Sequence, residues 1–323
     1  MWKSLLVATV VAGSMALGVA RAVGFDLQGH RGARGLAPEN TIAAFERALS
    51  VGVTTLELDV GITADGVPVI VHDIALNPDI VRDGSGGWLD KRPLIRSLTL
   101  AQLQRYDVGR TDPASGYGRQ FATQQASDGQ RIPTLTALFQ RVDELGARSL
   151  RFNIETKIDP RRPDDTLAPA AFVDTLMRVI RNAGMADRVT LQSFDWRTLQ
   201  HARRIEPRIP TACLTTQGSN ADIRDGAGTW TAGLRPADHG SVPALVKAAG
   251  CATWSPNFNN LDEVALGQAR ALGLKVLPWT VNQPADMARL IDWGVDGLIT
   301  DYPDRLRDVM QRRGMPLPPQ VGP

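Results

Sequence analysis

Glu, Lys and His, which can hold a metal, carry a compact positive charge or move a proton, are scarce in this chain, and several of them stand at the ends of apolar runs. There are 7 Glu against 27 Asp, 5 Lys against 31 Arg, and only 4 His, so a Glu, Lys or His at such a place is a departure from the chain's habit. Glu57 and Asp59 lie in Thr55-Leu56-Glu57-Leu58-Asp59-Val60. Strand alternation puts both acids on one face and Leu56, Leu58 and Val60 on the other. Either face of the sheet could hold the acids, and a carboxylate pair in a dry interior is costly without a cation. Glu155 follows the apolar run Leu150–Ile154, His30 follows Phe25–Gly29, and His72-Asp73 follows Val67–Val71. Three acids with no Cys or His cluster at zinc spacing point to one hard, oxygen-loving divalent cation, Ca²⁺ or Mg²⁺. Lys157, two residues past Glu155, suits a point-charge task where Arg is the default. Trp279 fits either the floor of a small-molecule pocket or barrel packing. His201, among arginines on a helical stretch, and His239, in a long loop, are given no role.

These residues meet only if their strands do. Nine apolar runs occur, at Phe25–Gly29, Thr54–Val60, Val67–Val71, Leu150–Ile154, Val189–Phe194, Thr211–Thr215, Ala252–Pro256, Val276–Thr280 and Gly297–Thr300. Amphipathic stretches such as Thr41–Leu49, Leu135–Leu145, Ala171–Ala183 and Arg197–Ile205 separate them. That alternation predicts an α/β fold, a TIM (β/α)8 barrel, in which polar groups at the carboxyl ends of different strands share one mouth. Only Gly61 to Gly66 separate the second and third runs, too few for a parallel crossover, so the third run is a β-hairpin arm after strand 2. Taking Asp65-Gly66 as a two-residue turn pairs Ala64 with Val67 and sets Asp59 opposite His72. A doubly wound open sheet is the alternative, but no Gly-x-Gly-x-x-Gly opens a helix after the first strand. Residues of about 74–130, rich in Gly, Asp and Arg, are expected to form a small inserted lobe over one end of the barrel, and Thr216 to Gly240 form a second long excursion.

At these same residues the chain resembles the glycerophosphodiester phosphodiesterase family. His30-Arg31-Gly32-Ala33-Arg34-Gly35-Leu36-Ala37-Pro38-Glu39-Asn40-Thr41, continuing to Ala44-Phe45, is similar to that family's opening motif in full. Leu56 to Val60, Thr63, Asp65-Gly66, Val69 and His72-Asp73 match its second block at the usual spacing. Ile132-Pro133-Thr134-Leu135, Asn153 to Lys157, Gln192-Ser193-Phe194, Trp279 to Asn282, and Gly294 through Pro303 add shorter matches. The resemblance implies a metal-dependent barrel enzyme that cleaves glycerophosphodiesters to sn-glycerol 3-phosphate and an alcohol. It also implies that Glu57, Asp59 and Glu155 hold the metal, that His30 and His72 are the acid/base pair, and that Arg31 and Lys157 contact phosphate. Gln192 and Trp279 would line the substrate pocket. The chemistry is consistent with those roles, because cations stabilise charge growing at phosphorus and imidazoles titrate near the working pH. Ile74 to Lys91 departs from the family pattern, and with it the identity of the alcohol group is left open.

Composition narrows the alternatives. With 43% hydrophobic and 22% charged residues the chain is globular, which excludes disorder, collagen and a disulfide miniprotein. Lys3 and Arg21 account for the whole net charge of +2, so the body is neutral and lacks the basic excess expected of a nucleic-acid binder. Met1 to Ala22 reads as a signal peptide, with Lys3, an apolar run from Leu5 to Ala20, and small residues at Ala20 and Ala22. That leaves 23–323 as a single phosphodiesterase barrel domain, exported to the periplasm, with no stable membrane anchor after cleavage. The sequence carries no signal for an oligomeric state. Cys213 and Cys251 fit a bridge in that compartment or two buried thiols. Competing readings are a related barrel phosphodiesterase acting on lysophospholipids and an exported protein that binds phosphodiesters without cleaving them. All seven matched metal, acid/base and phosphate positions hold competent residues, which favours the enzyme.

Overall fold

The computed structural model describes residues 24–218 and 221–322, so the expected signal peptide lies outside the described residues. Eight parallel strands, each followed by a helix, form a TIM barrel. They are β1 (Asp26–Gly29), β2 (Thr55–Ile62), β4 (Arg151–Thr156), β5 (Val189–Ser193), β6 (Thr211–Thr215), β7 (Thr253–Pro256), β8 (Lys275–Val276) and β9 (Gly297–Thr300). The hairpin arm is β3 (Pro68–Ile70), antiparallel to β2. The helices are α1 (Ile42–Val51), α2 (Leu135–Glu144), α3 (Pro169–Asn182), α4 (Trp196–Ile205), α5 (Val242–Ala249), α6 (Glu263–Ala271), α7 (Pro284–Trp293) and α8 (Pro303–Arg312). Local chemistry starts them: Thr41, Thr134, Ser241 and Asp262 each accept a backbone N–H of the first turn through the side chain.

The strand order runs β8-β7-β6-β5-β4-β2-β1-β9. Backbone bonds from Asp296 to Val276, from Ile299 to Pro278 and from Val281 to Ile299 join β9 back to β8 and close the cylinder. The run read as Val276–Thr280 is regular strand only over Lys275–Val276, yet Leu277 and Trp279 still donate to Trp254 and Pro256 on β7. Strand alternation sorts the side chains by polarity. Leu27, Leu56, Leu58, Phe152, Ile154 and Leu191 are fully buried in the core cluster shared with the surrounding helices. Each contributes about 1.5–3 kcal/mol by burial. The residues between them, such as Gln28, Glu57, Asn153 and Gln192, turn into the lumen, where they bond to one another.

The hairpin register corrects the expectation. Val60 pairs with Ile70, Gly61 with Val69 and Ile62 with Pro68, and Val71 donates to the carbonyl of Asp59. Asp59 therefore faces Val71 rather than His72. The turn takes three residues instead of two, because Gly66 adopts a left-handed φ of +77° and Ala64 turns its N–H to Leu98 at 2.8 Å. Beyond β3, a second small apolar cluster forms around Leu76, Val81, Ile95, Leu103, Val108 and Ile132. Two short helices, Leu100–Leu103 and Gly116–Gln120, lie in this stretch. Among the described residues, no helix is long and apolar enough to cross a membrane.

Cys213 on β6 and Cys251, just before β7, are joined by a disulfide and are both buried. The bridge closes a loop spanning 38 residues, for which chain entropy gives a stabilisation of about 2–4 kcal/mol. Peptide mapping of the protein without reductant is expected to recover the Cys213–Cys251 cross-linked peptide. The C213S/C251S variant is expected to unfold with a stability lower by about that amount in denaturant titration. Two alkylatable thiols in the native protein would refute the bridge.

Candidate active site

The mouth at the carboxyl ends of the strands is built first by the loop from His30 to Thr41, which leaves β1 and folds back over the barrel. Arg31 and Asn40 adopt left-handed φ values of +51° and +55°, which cost an L residue about 1–2 kcal/mol each. Both are held by contacts with the acids below. The Arg31 backbone N–H donates to Glu57 Oε2 at 2.8 Å, and Asn40 Nδ2 donates to Asp59 Oδ2 at 3.0 Å. The Arg31 guanidinium reaches Glu39 Oε1 at 2.8 Å and Asp59 Oδ2 at 3.3 Å. Gly32, at φ +85°, packs so closely on α1 that a Cβ there would meet the Ala44 backbone at 2.7 Å.

Glu57 and Asp59 on β2 and Glu155 on β4 point into the lumen, and each offers an oxygen within 4.8 Å of the others. All three are buried. Burial and the neighbouring Asp59 charge push Glu57 well above the usual carboxylate range. Glu155 is pushed up to about 7, by burial against the pull of Lys157. Burial also opposes ionisation of Asp59, but the charges of Lys157 and Arg31 and the Asn40 donor outweigh it and hold that carboxyl below its usual range. Lys157 Nζ donates to Glu155 Oε1 at 2.8 Å and lies 3.6 Å from Asp59 Oδ1. Asp59 Oδ1 is buried and accepts no hydrogen bond. An all-oxygen donor set with such a vacant acceptor fits a hard divalent cation.

Below the acids, the lumen carries a chain of side-chain amides. Gln192 Nε2 donates to Glu57 Oε1 at 2.7 Å. Asn153 Nδ2 donates to Gln192 Oε1 at 2.8 Å and to Gln28 Oε1 at 2.9 Å. Gln28 in turn donates to Asp26 at 2.8 Å. Gln192 thus lines the pocket with its donor engaged by a carboxylate.

His30 and His72 face the same pocket from β1 and from the end of the hairpin arm. His30 Nε2 stands 3.9 Å from Glu57 Oε2, and its Nδ1 lies 2.6 Å from Asp301 Oδ1. His72 Nδ1 lies 2.8 Å from Asp73 Oδ1. Desolvation lowers both imidazoles, His30 to about 4 and His72 to about 3, so both rest neutral and can accept a proton. Phe194, Leu214, Trp279 and Ile299 make the opposite, apolar wall of a pocket with about 520 Å³ of open space. The Phe194 and Trp279 rings meet edge to face with centroids 5.4 Å apart. His201 lies outside this pocket, bonded to Asp174 at 2.7 Å. All nine site residues read from the sequence meet here except that Asp59 and Lys157 sit just behind the pocket surface, bound to its acids.

Sequence reasoning gave no role to Arg34, Glu39, Asn40, Asn282 or Asp301. Arg34 grips Asp301 with Nε at 2.8 Å and Nη2 at 3.0 Å, and its Nη1 donates to Tyr117 of the inserted stretch at 3.2 Å. The signal was available for Asp301, which ends a strand just as Glu155 does.

The sequence profile of the Glycerophosphoryl diester phosphodiesterase family matches residues 30–305. A glycerophosphodiester phosphodiesterase of Caldanaerobacter subterraneus subsp. tengcongensis is 30% identical over 285 residues, covering 88% of this chain and 97% of that one. A crystal structure of a putative glycerophosphoryl diester phosphodiesterase from Silicibacter pomeroyi matches with a TM-score of 0.81 and 35% identity, covering 90% of this chain and 95% of that one. An Oleispira antarctica phosphodiesterase solved with the product sn-glycerol-3-phosphate shares the fold at a TM-score of 0.66 and 24% identity, covering 88% of this chain and 96% of that one.

The amide contact on Glu57 makes a measurable claim. Second-layer partners of this kind typically change metal affinity by about 10–100-fold. Q192A is expected to weaken Ca²⁺ or Mg²⁺ binding by that factor in calorimetric titration of chelator-treated protein. Affinity equal to the parent's would show that Gln192 does not hold Glu57.

Proposed function

Because the chain belongs to the glycerophosphoryl diester phosphodiesterase family, we propose that it hydrolyses glycerophosphodiesters to sn-glycerol 3-phosphate and an alcohol. The observation that carries this reading is the meeting of three buried carboxylates, two cationic side chains and two neutral imidazoles at one pocket. A Ca²⁺ or Mg²⁺ ion held by Glu57, Asp59 and Glu155 supplies positive charge beside the phosphate when bound. Arg31 and Lys157 add fixed charge on the same side, where negative charge grows at phosphorus. His30 and His72 carry the protons: one deprotonates the nucleophile while the other protonates the departing alkoxide. The apolar wall around Trp279 and Phe194 receives the organic part of the diester.

The nucleophile in this proposal is the substrate's own 2-hydroxyl. It is tethered one carbon from the esterified oxygen, and well-oriented intramolecular groups reach effective molarities of about 10⁵–10⁸ M. Attack expels the alcohol and leaves a cyclic glycerol phosphate, which water then opens. The two imidazoles exchange roles between the steps. The leader-like residues 1–22 and the Cys213–Cys251 bridge support export to the periplasm, an oxidising compartment. A single barrel domain with an inserted lobe at about 74–130 would then act on a small soluble diester. The apolar wall favours one second reading, a lysophospholipid as the diester.

Product analysis separates these readings. Glycerophosphocholine is expected to yield sn-glycerol 3-phosphate and choline faster than lysophosphatidylcholine is cleaved. Chelation is expected to abolish turnover, and Ca²⁺ or Mg²⁺ to restore it. Choline phosphate as product, or full turnover in metal-stripped protein, would overturn the proposal.

A propane-1,3-diol phosphodiester, which lacks the 2-hydroxyl, tests the cyclic route. Its turnover is expected to fall almost completely while its binding is largely kept. Turnover within about threefold of the glycerol substrate's would mean that water attacks directly.

A further inference from the structure

The strand that closes the barrel delivers an acid that the chemistry above leaves unused. Asp301 follows β9 and is fully buried. Four side-chain contacts fix its two oxygens. Oδ1 lies 2.6 Å from His30 Nδ1 and accepts from Arg34 Nε at 2.8 Å. Oδ2 accepts from Arg34 Nη2 at 3.0 Å and from Asn282 Nδ2 at 2.7 Å. Asn282 is itself held, since its Oδ1 accepts the Asp301 backbone N–H at 3.0 Å.

An ionised carboxylate only accepts hydrogen bonds, so the ring nitrogen facing it must carry the proton. Held against the Arg34 guanidinium, Asp301 is such a carboxylate. His30 therefore has its proton on Nδ1, and in the neutral ring the lone pair is on Nε2. That nitrogen faces the pocket on the side of Glu57. His72 also has an acid on Nδ1, but its side chain is 31% exposed and that of Asp73 is 27% exposed, so water competes for both. Asp301 is shielded from that competition.

We propose that Asp301 is the positioning residue of His30, fixing its tautomer and ring plane so that Nε2 alone exchanges a proton with the substrate. A proton leaving a substrate hydroxyl lands on Nε2 and converts the ring to an imidazolium. Its Nδ1–H stays on Asp301, which remains ionised throughout. The same proton leaves Nε2 when the ring next acts as an acid. Arg34 links this dyad to Tyr117, so the inserted stretch braces it from outside the barrel. The inference rests on His30 being a proton-transfer group of the proposed phosphodiesterase.

Nitrogen-15 NMR of histidine-labelled protein reads the tautomer without any activity. In the parent protein His30 is expected to show a protonated Nδ1 with a downfield proton and an unprotonated Nε2. In D301N that proton is expected to be lost and the tautomers to mix. With glycerophosphocholine, D301N is expected to lower kcat by about 10²–10⁴-fold, the scale set by wrong-tautomer and general acid–base losses, with KM within about threefold. N282A is expected to keep the tautomer and lose less of kcat. An Nε2-protonated His30 in the parent overturns the proposal even if D301N does not fold. So does a folded D301N with unchanged kcat. If the parent cleaves no glycerophosphodiester, the functional reading fails, while the tautomer still tests the role of Asp301.

Discussion

Three carboxylates crowded inside a barrel set the terms for everything around them. At about 4 Å, two like charges repel by about 4 kcal/mol even at an effective dielectric near 20, before any desolvation is counted. Glu57, Asp59 and Glu155 share a space of 4.8 Å and are all buried, so the surroundings must supply compensation. Lys157 stands against two of them and Arg31 against Asp59, while a backbone N–H and an amide complete Glu57. The left-handed backbone at Arg31 and Asn40 follows from the same need, because those conformations aim donors down at the acids. The residual demand at Asp59 Oδ1 is the one a divalent cation answers.

The barrel tolerates such a centre because its stability comes from elsewhere. The outward residues of the strands form one continuous apolar layer with the eight helices, and the lumen takes polar side chains from β1, β2, β4 and β5 beside Leu214 and Ile299 of β6 and β9. A polar lumen is stable only when its groups bond to one another, since an unpaired buried polar group costs about 1–3 kcal/mol. The run from Asp26 through Gln28, Asn153 and Gln192 to Glu57 meets that condition at every link, with Asn153 Oδ1 alone in it left without a partner. Its amide donors point outward from Asn153 in both directions, toward Asp26 at one end and Glu57 at the other. That chain of bonds carries the geometry of Glu57 down into the sheet rather than leaving it to a loop.

Much of this arrangement was legible in the sequence, and the failures have a common cause. Period-two alternation around Glu57 and Asp59 gave the shared face, and the strand–helix alternation gave the barrel. Alternation could not say which face was the lumen, because in a parallel barrel both faces are buried and only polarity distinguishes them. The hairpin register slipped by one because Ala64 bonds to Leu98, a residue of the inserted stretch that local turn chemistry does not include. Gln192 was placed at the pocket but not on Glu57, since that contact joins residues 135 apart in sequence. Asp301 and Arg34 pair across 267 residues, and no local pattern reports such a contact.

The two histidines show how the fold divides rigidity from variation. His30 comes directly after β1 and its partner Asp301 directly after the neighbouring strand β9, so both ends of that contact are anchored by the closed cylinder. His72 hangs from the end of the hairpin arm, with a partner that is its own neighbour in sequence. The inserted stretch begins at once after Asp73 and packs its small apolar cluster beside the arm, with Val69, Val71 and Ile132 in common. Changes in that stretch therefore bear on His72 and on the mouth of the pocket, and reach His30 through Arg34, which Tyr117, Phe121 and Gln124 all contact. The part of the site that must hold charge in a fixed place is built from paired strands. The part that His72 contributes borders residues 74–130, where length and composition can change without disturbing a single ladder of the barrel.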